Sequence, residues 1–287
     1  MYASIAGFFA KIPHRIYRQW GMVYIGFNGI KRAVFKVIEK FICSSSTMIL
    51  PDSFGNLDFC RRNHFYSANK SAVIFNGSAA GIDFTKFDIS KKSEWRKEIR
   101  NEYNIDENDF VFGFVGRINR DKGVNELLAS FKKLKNNSVN SKLFVVGLAD
   151  REEEIDPTLL NWAKNSKDIF FTGVTENTEK YYAAFDVFVL PSYREGFGST
   201  IIEAESMGIP VITTNIPGPS EAIIDKKTGI LVEPKNTDEL FNAFELLYQN
   251  HNLCIQYGND GLQYVQEKFE RKKLFDKNLE FVNKLLN

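Results

Sequence analysis

The 287-residue chain reads as an α/β protein of two Rossmann-like doubly wound units, the first of them incomplete. Three observations predict this. From Phe110 onward, short apolar runs alternate with amphipathic ones, the pattern of βαβ units building a parallel sheet. Glycines stand where those apolar runs end, at Gly116, at Gly173 and at Gly196-Phe197-Gly198, so strands give way to helices there. Before residue 85 a separate αβ alternation offers three candidate strands, too few for a sheet covered on both faces.

In that first portion, strands are expected at 16–18, 48–50 and 72–75, with helices at 30–43 and 54–64. A linker at 83–93 leads to a helix at 94–104. Strands then follow at 110–116, 142–147, 169–173, 187–190, 210–214 and 229–232. Between them fall helices at 124–134, 157–165, 178–184, 199–207 and 218–224, and three more close the chain at 237–250, 253–269 and 272–286. A right-handed, doubly wound parallel sheet follows from that order. The expected division is 1–84 for a partial first unit, 85–270 for a second unit, and 271–287 for a closing helix.

Charge excludes one class of partner. Against 37 basic side chains stand 36 acidic ones, so no global field favours nucleic acid. Cys43, Cys60 and Cys254 are odd in number and far apart, without metal-ligand spacing, which suits free thiols in a reducing cytoplasm. No apolar run reaches the roughly 18 residues of a membrane span. The beginning is distinctive: Tyr2–Ala10 is apolar, Lys11, Arg15, Arg18, Lys31, Arg32 and Lys36 follow, and the first acidic residue is Glu39. One reading is peripheral docking on an anionic membrane. The other is a core helix followed by a solvated basic face.

Chemistry concentrates in Glu195-Gly196-Phe197-Gly198-Ser199-Thr200-Ile201-Ile202-Glu203. Open α/β sheets hold ligands at such strand-to-helix turns, and the free amides of a helix start favour phosphate. Ionised Glu195 and Glu203 only accept hydrogen bonds, which suits the hydroxyls of a sugar or a ribose. Together these describe a nucleotide-sugar site. Thr200-Ile201-Ile202-Glu203 also fits a capping box in which Glu203 merely closes the helix end. Paired carboxylates also admit a glycosidase, though the cationic surroundings argue against it. Gly116-Arg117-Ile118-Asn119-Arg120-Asp121-Lys122-Gly123 opens another helix, and Arg117 and Lys122 are expected to project into one crevice and neutralise a diphosphate. Asn76-Gly77-Ser78 permits backbone approach to a ligand from the opposing unit, and the backbone at Gly173-Val174 suits a nucleobase.

These motifs, with Pro191-Ser192-Tyr193-Arg194 and Met207-Gly208-Ile209-Pro210-Val211-Ile212, resemble the GT4 glycosyltransferases. Within them the similarity is to the branch that builds capsule and lipopolysaccharide sugars, and it runs from about residue 5 to 270. The resemblance implies a GT-B architecture, two Rossmann-like domains facing across a cleft, with 1–84 as the partial acceptor side, 85–270 as the nucleotide-sugar-binding domain and 271–287 packing back on the first. It also implies retaining transfer from a nucleotide sugar, a UDP-sugar in this branch, to a glycan or lipid-linked acceptor, with neither metal nor cofactor. Carried over by position, it gives Arg117 and Lys122 to the donor diphosphate, Glu195 to the sugar hydroxyls and Glu203 to the ribose. Gly116, Val174, Gly196, Phe197, Gly198, Ser199, Thr200 and the Asn76-Gly77-Ser78 turn surround the donor. The family's opening strand, glycine-rich loop and histidine near the reacting carbon are absent. Met1 is therefore expected to begin inside the first domain, about a hundred residues in, and His14, His64 and His251 receive no catalytic role. The competing expectation is a truncated, non-catalytic nucleotide-sugar binder that assists a partner.

Overall fold

The structure, a computed structural model, describes residues 2–78, 80–137 and 139–286. Met1, Ala79, Ser138 and Asn287 lie outside them. The first unit comprises α1 (Tyr2–Phe9), β1 (Ile16–Gln19), α2 (Gly29–Ser45), β2 (Met48–Pro51) and α3 (Phe54–Arg62). The second opens with α4 (Lys92–Glu102), β3 (Phe110–Val115), α5 (Val124–Asn136), β4 (Ser141–Val146), α6 (Pro157–Lys164) and β5 (Ile169–Gly173). It continues through α7 (Thr178–Ala184), β6 (Val187–Leu190), α8 (Ser199–Ser206), β7 (Val211–Thr214), α9 (Pro219–Ala222) and β8 (Gly229–Val232), then α10 (Thr237–Gln249), α11 (His251–Lys268) and α12 (Arg271–Leu286).

Strands of the second unit lie in the order β5-β4-β3-β6-β7-β8, every pair parallel. β3, β6 and β7 are buried along their whole length, which is why they read as continuous apolar runs. Side chains cap the starts of α3, α6 and α10. Asp156 accepts the amides of Thr158 and Leu159 ahead of α6, and Asn236 accepts the amide of Glu239 in α10. Aromatic rings fill the interior: Phe112 stacks on Phe244 at 4.5 Å, and Phe144 lies edge-on to Tyr103 at 4.9 Å. Gly113 has no room for a side chain, since a Cβ there would stand 2.1 Å from the Phe185 ring.

Among the described residues of the first unit only β1 and β2 pair as strands, Ile16 opposite Met48 through Gln19 opposite Pro51. The strand expected at 72–75 shrinks to a bridge between Ile49 and Ser71 plus one bond from the Ala72 amide to the Ile49 carbonyl. Phe75, at φ +54°, turns the chain away, and the Ser78 amide returns it to the Asp52 carbonyl at 2.8 Å. A second correction concerns the beginning. α1 is not a core helix: Phe8 and Phe9 are exposed, as are Ile30, Val34, Val37 and Phe41 along one stripe of α2. The inner face of α2 buries Glu39, whose carboxylate accepts the Gln19 amide at 2.6 Å and the Tyr17 hydroxyl at 3.1 Å. Cys43, Cys60 and Cys254 are buried free thiols, and burial pushes Cys60 up to about 11.

At the amino rim of the large sheet, α4 is clipped to two strands by one carboxylate. Asp186 accepts Arg96 at 2.7 Å, Arg100 at 2.8 Å and the Val111 amide at 2.7 Å. Arg100 is 1% exposed and also donates to the carbonyls of Ala184, Asp106 and Asp109. Removing the acid strands a buried guanidinium. Asp186→Ala is expected to cost about 3–5 kcal/mol, the scale for breaking a buried pair. Urea unfolding measures it, and a loss below about 1 kcal/mol would contradict the role given to this clip.

Candidate functional site

The strand order changes direction between β3 and β6: from β3 the chain crosses to β4, from β6 to β7 on the other side. The connections leave in opposite directions and open a crevice at the carboxyl ends. Lys122 comes from the first connection and Glu195 from the second. Their side chains meet at 2.5 Å, 18% and 13% exposed, and Ser192 donates to the same Glu195 oxygen at 2.8 Å.

The two loops are held together by more than this pair. Gly123, at φ +70°, lies so close to Pro191 that a Cβ would stand 2.0 Å from its carbonyl oxygen, so only glycine fits. The Tyr193 amide donates to the Asp121 carbonyl at 2.8 Å, its hydroxyl to Glu126 at 2.6 Å, and Arg194 Nε to Asp121 at 2.9 Å.

α8 begins beside Glu195 with Gly198 as its N-cap, at φ +93°, and no side chain caps it. Its first amides are open to an anion, reinforced by the helix dipole. Phe197 is buried against Phe269, ring centroids 5.2 Å apart, so it faces the crevice with backbone alone, while Ser199 is exposed. Glu203 sits one turn on. It does not close a capping box, because the helix is already under way at Thr200; its carboxylate accepts the Tyr182 hydroxyl at 2.9 Å. Burial raises the Glu203 pKa, opposed by Tyr182 and Lys86 and reinforced by Glu179.

Arg117 takes a different partner from Lys122. Its guanidinium reaches Asp150 at 3.0 Å on the β4 side and is 55% exposed, so the two cations do not project as one unit. Val174 is exposed beyond β5. Asn76 donates to the Lys268 carbonyl at 3.0 Å, Gly77 packs against the Asp52 carbonyl and the Phe197 ring, and Ser78 is buried. Gly116 ends β3 with its amide on the Val146 carbonyl at 2.9 Å.

The first unit grips this site through residues that no local pattern marked. Asn56 donates to the carbonyls of Glu195 and Gly196 at 3.2 and 2.7 Å. Glu221, on α9, accepts the amides of Phe54 and Gly55, both at 2.7 Å, and so caps α3 across the cleft. Burial pushes Asp52, at the end of β2, up to about 6, with Arg18 opposing. Ser192 and Tyr182 hold the two glutamates without a local pattern that marks them, although Ser192 lies within Pro191-Ser192-Tyr193-Arg194. Among the described residues, no three His, Cys, Asp or Glu side chains gather as a metal site.

Residues 96–263 match the family described as Glycosyl transferases group 1. The chain belongs to that family. A capsular polysaccharide biosynthesis glycosyltransferase of Staphylococcus aureus, CapM, is 31% identical over 95% of this chain and 71% of its own length. An N,N'-diacetylbacillosaminyl-diphospho-undecaprenol alpha-1,3-N-acetylgalactosaminyltransferase of Campylobacter jejuni is 28% identical over 96% of this chain and 74% of its own. Anabaena HepE, solved in complex with UDP-glucose, superposes with a TM-score of 0.82 at 18% identity, covering 98% of this chain and 75% of that one. The fold is therefore GT-B in type, and the Lys122–Glu195 crevice lies within the matched family segment.

Two residues beyond Glu203 the helix turns another acid inward. Glu205 is fully buried against α11, where a Cβ on Gly261 would stand 3.1 Å from its Cγ, and neither carboxyl oxygen has a hydrogen-bond partner among the described residues. Burial pushes its pKa well above the usual range. The unfolded chain releases this proton near pH 4.3, as free glutamate does; burial makes the folded chain hold it to higher pH. Stability contributed by Glu205 is thus full below about 4.3 and declines, by at most roughly 1.4 kcal/mol per pH unit, until the raised folded-state pKa is passed. Glu205→Gln is expected to remove that decline and to be the more stable protein at neutral pH. Urea unfolding at several pH values upward from about 4.5 compares the two proteins; an identical pH dependence would contradict a raised Glu205 pKa in the fold.

Proposed function

We propose that this chain transfers a sugar from a UDP-sugar, with retention of anomeric configuration, to a lipid-diphosphate-linked saccharide during surface-polysaccharide assembly. The observation that carries the reading is the Lys122–Glu195 pair beside an uncapped helix start that also bears Glu203. The sugar hydroxyls fall to Glu195, the ribose to Glu203, and the diphosphate to Lys122 and the α8 amides. Arg117, half exposed, turns from Asp150 to join them. Negative charge grows on the diphosphate as the anomeric bond breaks, so cations and amides fixed there in advance lower the barrier. Glu195, held by Ser192, orients the sugar, and orientation is a large share of the rate. The positive charge for the leaving group comes from side chains and backbone, so the proposed transfer is metal-free.

UDP as carrier is supported by HepE, and the acceptor class by the substrate in the name of the C. jejuni relative. A lipid-linked acceptor fits a protein that works at a membrane surface. No helix among the described residues is long and apolar enough to cross one. The exposed apolar residues of α1 and α2, with Lys11, Lys31 and Lys40, make the contact instead. The small first sheet, with two paired strands among the described residues, favours the second reading, a nucleotide-sugar binder without transfer. Donor binding without glycan product would identify it.

Lys122→Ala and Glu203→Ala are each expected to weaken UDP-sugar binding by roughly 1–3 kcal/mol, the scale of charged hydrogen bonds. Calorimetry with UDP and UDP-glucose tests this; unchanged affinity in both variants would defeat the site assignment. Flotation with anionic vesicles should carry the protein upward, and less so after Ile30→Asp. A protein that stays at the bottom with every lipid mixture would remove the membrane contact.

A further inference from the structure

Beside the donor crevice lies a cavity of about 480 Å³ that none of the proposed donor residues lines. One wall comes from the first unit, Ile25, Gly26 and Asn28 between β1 and α2. The other comes from the same two loops that carry Lys122 and Glu195, one step earlier in each: Arg120-Asp121 and Tyr193-Arg194, with Lys235 beyond β8. Arg194 crosses the gap directly over Gly26, its Nε 2.7 Å from where a Cβ would stand, to reach Asp121.

The charges in this cavity do not cancel. Arg194 is neutralised by Asp121 at 2.5 Å, and Glu154 by Arg151 at 3.0 Å. Arg120 and Lys235 remain. Both are exposed, neither forms an ion pair among the described residues, and Lys235 rests 4.9 Å over the Tyr193 ring. Two cations without an ion-pair partner among the described residues line one space bounded by both units. Such a pair matches a doubly charged diphosphate, bound by point charge and by the fork of an arginine. Asn28, which lines the cavity, directly precedes α2, and α2 carries the exposed stripe of Ile30, Val34, Val37 and Phe41.

We propose that this cavity is the acceptor's diphosphate subsite, with Arg120 and Lys235 as its anchors and α2 as the track along which the acceptor's apolar chain leaves. The inference rests on the lipid-diphosphate acceptor read above and adds where that group binds. The subsite stands one residue from Lys122 in one loop and flanks Glu195 in the other. A saccharide carried on the anchored diphosphate is thereby presented to the donor sugar, and the spacing between the two anions determines which acceptor unit reaches it.

Calorimetry on the whole chain, with the donor site filled by excess UDP, provides the test, and farnesyl diphosphate is the probe. Wild type is expected to bind it, the Arg120→Ala/Lys235→Ala double variant at least tenfold more weakly, and the Arg120→Lys/Lys235→Arg variant to within about threefold of wild type. UDP affinity should be the same in all three. Equal binding of farnesyl diphosphate by wild type and the alanine variant would overturn the proposal. So would absence of wild-type binding, farnesol binding as tightly as its diphosphate, or a parallel loss of UDP affinity in the alanine variant. If UDP fails to bind wild type while farnesyl diphosphate still discriminates the variants, the donor reading falls and the diphosphate subsite stands.

Discussion

The contact between Lys122 and Glu195 spans the crevice between β3 and β6, and the rest of the site is arranged around it. It exists because two parallel strands lie side by side while their connections depart in opposite directions. The backbones of those connections lie against each other, which the glycine at 123 beside Pro191 permits, and the Lys122 and Glu195 side chains meet at 2.5 Å. Tyr193 and Arg194 then bind Asp121 and Glu126, so the loops form one piece. An ion pair at this depth is weak evidence for stability, since desolvation offsets much of its attraction. Its value is positional. A cation and a carboxylate are held ready for the two ends of a sugar diphosphate.

The second constraint is the join between units. α3 spends its first amides on Glu221 from across the cleft, and Asn56 binds the backbone of the very turn that carries Glu195. The first unit therefore shapes the donor loop as well as facing it. This explains why a small first sheet, with its own core around Tyr24, Cys43 and Leu57, is attached so specifically. The linker adds to the join where the Ile82 amide meets the Phe269 carbonyl at 2.7 Å and the Arg271 amide meets the Ile82 carbonyl at 2.9 Å.

Most of this architecture is legible in the amino-acid order, for physical reasons that also mark its limits. Buried parallel strands must be apolar on both faces, so β3, β6 and β7 announce themselves. Turn glycines mark the carboxyl rim, and with it the loops holding Lys122 and Glu195. Residues 72–75 mislead because an apolar run of four does not distinguish a strand from a segment that turns at a positive-φ Phe75. The α1 run misleads in the same way: Phe8 and Phe9 are apolar in sequence and exposed in the fold. The local motif Thr200–Glu203 suggests a cap, but the helix begins earlier, at Ser199, and Tyr182 claims the carboxylate. Asn56, Glu221 and Asp150 carry no local signature at all. Their partners lie far away in sequence, and only the folded chain brings them together.

The central claim is that the carboxyl rim at the β3–β6 crevice is where a UDP-sugar binds. A crystal structure of the chain soaked with UDP-glucose addresses it most directly. The account predicts diphosphate oxygens within hydrogen-bonding distance of Lys122 and the α8 amides, ribose hydroxyls on Glu203, and the glucose ring against Glu195. Ligand density at the opposite rim, in the cavity of about 430 Å³ between Lys92, Asp186 and His251, with the crevice left empty, would contradict it.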